Sequence, residues 1–486
     1  MEHGNSCPAL DLDADALVQC ANRLSLRDLS NMAISCKYFR DVAYSDSVWR
    51  RWFRDHWPQQ YTSLGLSQIF GVREAYVARH IALQQFKFSD PLTKVFVMAP
   101  ALSSHLLFDK SNIVLAQGSA IQVLKIDTCS IGEYSSEALG GHNARITCMR
   151  QFPLKNTSLF RNDAQNEDNI LVTASSDHTI RLWWKVLGQS QRCFRGHNGP
   201  VSTLVDKLVE DGSGKVLASG GEDGTVCLWS LSSSRKRGHH TLRTTFYGHE
   251  KKVTLLSVAG YSSSRLVSVS KDAKVRVWDT NASSASRSSQ CVGMACINRD
   301  PVGMKCHEML SFVAAGSSVV VIDFRTMRKV ATVAVHEPKL YSLEFLSSKH
   351  LICTGGKDKA MLWDIRKNDE KPEPIADLDG HVGHVTQVRM DPYKIVTGGP
   401  SDSFVRVWET DTGLHTNSLI CSASTDMGNV GGLSAMAVDG YRIVTSSGPG
   451  LTFYRDFTQS SCQLSSGGCN QSSRFWQPTS YSDSDD

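Results

Sequence analysis

Five times along this chain a Gly-His or Val-His pair is followed, 21 to 35 residues later, by an Asp with a Ser or Thr just before it and a Trp just after it. The sets are His142, Thr173, Asp177 and Trp183; His197, Ser219, Asp223 and Trp229; His249, Ser268, Asp272 and Trp278; His336, Thr354, Asp358 and Trp363; and His381, Thr397, Asp402 and Trp408. The fourth is one residue short between Asp and Trp, and the fifth is one residue long between Thr and Asp. A hydrolytic Ser-His-Asp constellation serves one site, so five copies at regular intervals point to a structural device. The Trp positions and their substitutes recur every 41 to 49 residues apart from one longer gap. That interval is the period of a repeat built from four short strands.

The strings between the anchors support strands. Lys215-Val-Leu-Ala-Ser219 and Thr225-Val-Cys-Leu-Trp229 are short, rich in β-formers and bounded by Gly, Ser and Asp. With Trp278-Asp279 and Trp363-Asp364 closing two repeats, the chain resembles the WD40 family, whose repeats begin near Gly-His and end in Trp-Asp. The resemblance implies a β-propeller in which imidazole, hydroxyl, carboxylate and indole of one blade satisfy one another. Three further copies keep the strand pattern without the polar anchors, with Leu124, Ile322 and Tyr454 standing where Trp would be. Eight blades result, or seven if the unit from Asn112 only completes a neighbour. Ring closure needs a strand from the other end of the domain, and Lys94-Val-Phe-Val-Met-Ala99 is the candidate.

Composition excludes several functions. At 486 residues with 41% apolar, 21% charged and a net charge of +4, the chain has material for a large core but no strongly basic face, so a general nucleic-acid binder is not expected. The 14 cysteines are scattered, many within expected strands, as in reduced proteins. Cys291, Cys296, Cys306 and His307 lack a Cys-x-x-Cys knuckle, so no metal is expected, and no cofactor motif is present. Without a cationic, apolar leader or a membrane-length run, the chain is expected in the nucleus and/or cytoplasm, with no membrane contact.

Residues 8–57 have a different character, with apolar residues at helical spacing: Leu17, Cys20, Ala21 and Leu24 in one stripe, then Leu29, Met32 and Ala33 behind the cap-like Ser25-Leu-Arg-Asp28. Leu24-Ser-Leu-Arg-Asp-Leu29, Ile34-Ser-Cys-Lys-Tyr-Phe-Arg40 and Ser47-Val-Trp-Arg-Arg51 resemble an F-box, although Leu12 is followed by Asp13 where F-boxes usually carry Pro. The resemblance implies docking on the Skp adaptor and cullin of an SCF ubiquitin ligase through Leu12, Leu17, Leu24, Leu29, Ile34, Phe39 and Trp49, as the docking face or the core beneath it. Residues 58–92 read as a helical spacer, 93–457 as the propeller and 458–486 as a disordered Ser-rich acidic tail.

Together the two resemblances imply a non-enzymatic substrate receptor. Its ligand, a degron acidic by composition or phosphorylation, would meet the propeller rim at Arg145, Lys252, Lys271, Lys339, Tyr341 and Lys357, positions counted from each His and Asp. His384 and Glu222 share that rim. Two alternatives remain. Trp363-Asp-Ile-Arg366 resembles the Trp-Asp-x-Arg box that docks on another cullin adaptor, and a non-degradative scaffold needs no ligase at all.

Overall fold

Short β-branched runs punctuated by Gly, Asp and Ser fold here into eight antiparallel sheets. The computed structural model describes residues 13–56, 71–87, 90–98, 104–109, 112–126, 136–154, 169–184, 190–210, 214–231, 241–281, 291–367, 372–422, 431–448 and 450–460. Leu12 and most of the expected tail lie outside them. The chain forms two compact units, one holding the helices and the other, Thr93–Asp456, holding the sheets.

In chain order, blades 1 to 7 occupy 104–139, 146–195, 201–246, 253–296, 301–335, 342–379 and 387–420. Blade 8 takes three strands from Leu433–Asp439, Arg442–Ser447 and Leu451–Ser460, and its fourth from Pro91–Val97. The closing strand is therefore the one expected from sequence, beginning three residues earlier and ending two residues earlier. The innermost strand of each blade packs against that of the next, and Leu433–Asp439 of blade 8 meets Ser104–Asp109 of blade 1, so the ring is closed.

The count is eight, not seven. Asn112–Gln117 and Ala120–Lys125 are the middle strands of a complete blade whose inner and outer strands, Ser104–Asp109 and Ser136–Leu139, carry no anchor residue that could mark them in sequence. The last strand also runs to Ser460, past the expected domain end at 457.

Burial explains the strand pattern. The second strand of each blade is covered on both faces, as is the third strand of blade 3, so in Lys215–Gly221 and Val226–Ser230 nearly every residue is buried. Such strands read as continuous apolar runs rather than alternating ones. Trp183, Trp229, Trp278, Trp363 and Trp408 are all buried between blades. Each removes on the order of 200 Å² from water, an upper estimate of ~5 kcal/mol. Hydroxyls near the start of inner strands then stitch one blade to the next: Thr147 Oγ1 donates to Val201 O at 2.5 Å, Ser342 Oγ to Val385 O at 2.7 Å, and Ser202 Oγ to Val253 O.

The helical unit contains α1 (Ala14–Ala21), α2 (Leu26–Ser35), α3 (Lys37–Tyr44), α4 (Asp46–His56) and α5 (Val72–Gln84). Ser25 caps α2 as its sequence suggests, accepting from Asp28 N at 3.2 Å. Trp49 is buried and donates its Nε1–H to Ala43 O at 2.8 Å. Helix α5 is not a spacer. Its Tyr76 is fully buried beside Trp49 and Phe53, with ring centroids 5.2 and 5.8 Å away, and Arg73 lies 4.0 Å over the Tyr44 ring. A four-helix stretch this short leaves apolar surface uncovered, and α5 supplies the cover.

Candidate functional site at the propeller rim

In blades 2, 3, 4, 6 and 7 the loop that enters the inner strand carries the His, and the turn between the second and third strands carries the Asp. Four blades close the polar set. In blade 2, Trp183 Nε1 donates to Thr173 Oγ1 at 2.8 Å, Thr173 Oγ1 meets His142 Nε2 at 2.8 Å, and His142 Nδ1 meets Asp177 Oδ2 at 2.8 Å. Blade 4 repeats this through Trp278, Ser268, His249 and Asp272 at 2.7, 2.7 and 2.9 Å, and blade 7 through Trp408, Thr397, His381 and Asp402 at 2.8, 2.9 and 2.7 Å. The Asp also accepts the amide that follows the His, from Asn143, Glu250 and Val382 respectively. The clamp thus ties a loop, a turn and two strands together, and all its strong donors and acceptors are used internally.

Burial lowers the His142 and His249 imidazoles below the usual histidine value, which favours their neutral form. Burial also works to raise the Asp177 carboxyl, but hydrogen bonds from Thr179, His142 and the amides of Asn143 and Thr179 outweigh it and hold that group at about 2. Blade 3 has the same residues, with Trp229 Nε1 to Ser219 Oγ at 2.7 Å and Ser219 Oγ to His197 Nε2 at 2.8 Å, but a longer His197–Asp223 bond of 3.2 Å. There burial lowers the imidazole, yet its bonds to Asp223 and Cys227 prevail and raise it to about 9.

The fourth set, in blade 6, is a broken clamp, and Asp358 is not part of it. His336 turns its Nδ1 to Thr354 Oγ1 at 3.3 Å and leaves Nε2 buried without a partner, while Trp363 keeps its 2.9 Å bond to Thr354. Asp358 is exposed. The missing residue between Asp358 and Trp363 shortens the turn, so the carboxylate no longer lies over the imidazole.

The expected rim residues separate into three groups. Arg145 is exposed at the entry to blade 2. Lys252 of blade 4 is half-buried and ion-paired with Glu222 of blade 3 at 2.6 Å; Lys271, exposed beside it, donates its amide to Lys252 O at 3.0 Å. The third group joins blades 6 and 7. Tyr341 stacks on His384 with centroids 4.2 Å apart, Lys339 Nζ lies 5.7 Å from the Tyr341 ring, and Lys357 is exposed. Of the five cations expected on the rim, Lys252 is thus paired with Glu222, the acid expected among them.

Arg299, exposed at the entry to blade 5, was missed. Blade 5 has no His from which to count, yet Arg299 lies against Gly316, whose φ of +63° and lack of a Cβ admit the arginine stem.

Of the described residues expected to dock, Leu17, Leu29 and Trp49 are core, Leu24 and Phe39 are half-buried, and Ile34, at 66%, is exposed. Arg366 of the Trp-Asp-x-Arg box is held by its own Asp364 at 2.7 Å. Among the described residues no group of His, Cys, Asp and Glu could hold a metal ion, and no helix is long and apolar enough to cross a membrane.

The geometry defines an eight-bladed propeller with its polar clamps turned inward, and comparisons agree. The WD domain, G-beta repeat family matches residues 134–183, 188–230 and 240–279, so the chain carries WD40 repeats. Similar proteins include a ribosome biogenesis protein WDR12 homolog of Trichoplax adhaerens, 26% identical over 51% of this chain and 61% of its own length. The nuclear distribution protein nudF of Aspergillus niger is 24% identical over 57% and 62%, and human Striatin-3 is 25% identical over 50% and 33%. The chain spans about three fifths of the length of the first two. The crystal structure of the computationally designed Ika8 protein superposes with a TM-score of 0.57 over 74% of this chain and 98% of that one at 19% identity, which shows the fold alone.

These relatives overturn the expected SCF substrate-receptor function. Proteins named for ribosome biogenesis recur among them, with homologs in Trichoplax, rice and Drosophila mojavensis. The physical reason the helical motif misled is that its signature residues Leu17, Leu29 and Trp49 are those any small helical unit buries.

Proposed function

We propose that this chain is a non-enzymatic protein-interaction scaffold that takes part in ribosome assembly within the nucleus, with the propeller rim as its main docking surface. The observation that carries the reading is the closure of the clamps. The His, Ser or Thr and Asp sets are the obvious source of nucleophile and base, and their hydroxyls and imidazoles are buried and bonded to one another. What faces outward is the rim. Lys339, Tyr341, His384 and Lys357 combine an aromatic stack with two cations, which suits an acidic or phosphorylated segment of a partner protein. Exposed Ile34 on α2 gives the helical unit a smaller second surface. The ribosomal direction rests on the WDR12 homologs, and the scaffold reading on the geometry.

The test is affinity purification of the tagged full chain, wild type against Lys339→Glu with Lys357→Glu, followed by mass spectrometry, and sedimentation of ribosomal subunits from depleted cells. Ribosome-assembly proteins should co-purify with the wild type and be lost with the variant, and depletion should distort the subunit ratio. An unchanged ratio, or recovery of Skp and cullin in place of assembly proteins, overturns the proposal.

A further inference from the structure

The strand registers place charged residues at one level around the propeller axis. In blades 2, 6 and 7 the clamp Thr is paired across the sheet with Met149, Leu343 and Val388 of the innermost strand. The next residues are Arg150, Glu344 and Arg389. In blade 5 Ile322 stands at the Trp position and pairs with Ser311, so Val313 takes the place of the clamp Thr; it pairs with Met304, and the next residue is Lys305. The other four blades place no charged residue at this register position, but Asp206, one residue further along blade 3, reaches it by accepting from Ser257 Oγ of blade 4 at 3.0 Å, so the level has three cations against two carboxylates.

Three cations and one acid, Arg150, Lys305, Arg389 and Glu344, thus stand at this position on strands that line the axis, and they leave a net positive charge beside Asp206. Lys305 Nζ lies 2.7 Å from one Glu344 oxygen and Arg389 Nη1 3.5 Å from the other, so one carboxylate serves two cations on three adjacent blades. Lys305 and Arg389 remain 41% and 47% exposed, which on innermost strands means that they face open space rather than a neighbouring blade. Arg150 has no acid partner among the described residues, and its Nε is buried without a hydrogen-bond partner. The two arginines adopt the same posture, each donating from Nη1 to the carbonyl just before it, at 3.3 Å for Arg150 and 3.2 Å for Arg389.

Unbalanced positive charge in a confined channel with low-dielectric walls concentrates anions. Arginine meets phosphate through two parallel N–H donors, which makes a phosphorylated ligand a better fit than a monovalent ion. We propose that the axial channel binds a small polyanion bearing two or more phosphate groups, held by Arg150, Lys305 and Arg389. The rim is a separate surface, so this site stands or falls independently of partner docking there.

The experiment is isothermal titration calorimetry of the full chain with inorganic tripolyphosphate at low and physiological salt, alongside thermal melting. Saturable binding at one site, weaker at higher salt, is expected, with a rise in melting temperature. Arg150→Gln with Arg389→Gln should weaken binding at least tenfold while leaving the Lys305–Glu344 pair intact. If that double variant fails to fold, Arg389→Gln alone, a half-exposed change, should still weaken it several-fold. Lys339→Gln with Lys357→Gln should leave it unchanged. Absence of saturable binding at low salt, undiminished binding in the channel variants, or loss only in the rim variant would each overturn the proposal.

Discussion

Blades 6 and 7 offer a direct measure of what a closed clamp contributes. Thr397→Val keeps side-chain volume but removes the hydroxyl that accepts from Trp408 Nε1 at 2.8 Å and bonds His381 Nε2 at 2.9 Å. Two buried polar groups are then unsatisfied. At roughly 1–3 kcal/mol each, the loss is about 4 kcal/mol. Thr354→Val is the same chemical change in the broken clamp. There the imidazole bond is already long at 3.3 Å and His336 Nε2 is already orphaned, so Trp363 Nε1 is the main group stranded, at a cost of about 2 kcal/mol. For a unit of this size 1 kcal/mol corresponds to roughly 1.3 °C in melting temperature, so the two variants should differ by about 3 °C in the propeller transition. Differential scanning calorimetry of the full chain reads this. Equal shifts would refute the argument, because the hydroxyl–imidazole bond of an intact clamp would then add nothing to the Trp–hydroxyl bond.

Other outcomes follow from the same geometry. Asp177 is held at about 2 against an unfolded value of 3.8, so its stabilisation is complete above 3.8 and lost as pH falls through about 2; Asp177→Asn should be less stable than wild type at pH 6 and converge with it near pH 2 in melting temperature. Leu29→Ala, at a fully buried site on α2, should destabilise the helical unit by about 3 kcal/mol and expose it to limited proteolysis, whereas Ile34→Ala should change its stability by less than about 0.5 kcal/mol. Glu222→Gln breaks a partly exposed ion pair and should cost under about 1 kcal/mol, while releasing Lys252 to tighten binding of a Glu-rich peptide in fluorescence anisotropy.

The repeat architecture was legible because its marks are local. A His, a hydroxyl residue, an Asp and a Trp at near-constant spacing report a blade wherever they survive, and even the anchor-free copies kept enough strand pattern to be counted. The site was less legible. Counting from His and Asp picked out Arg145, Lys271, Lys339 and Lys357 as rim candidates, but it could not show that Glu222 neutralises Lys252 from a neighbouring blade or that Tyr341 stacks on His384. Arg299 escaped because blade 5 lacks the residue from which to count. Asp358 was included because spacing alone does not reveal that a turn one residue shorter points a carboxylate outward. The helical motif shows the same limit in reverse, since an apolar pattern at helical spacing records which residues leave water and not what, if anything, docks beside them.

What the residue order determined by itself was the fold class, the blade period and the identity of the closing strand, all consequences of hydrophobic patterning and turn chemistry within a few tens of residues. Tertiary structure decided the blade count, the packing of α5 against α4, the state of each clamp and the charge balance on the rim and along the axis. Those depend on distances between side chains that are remote in sequence: Lys305, Glu344 and Arg389 come from three repeats, and only closure of the ring and the register of each inner strand bring them to one level.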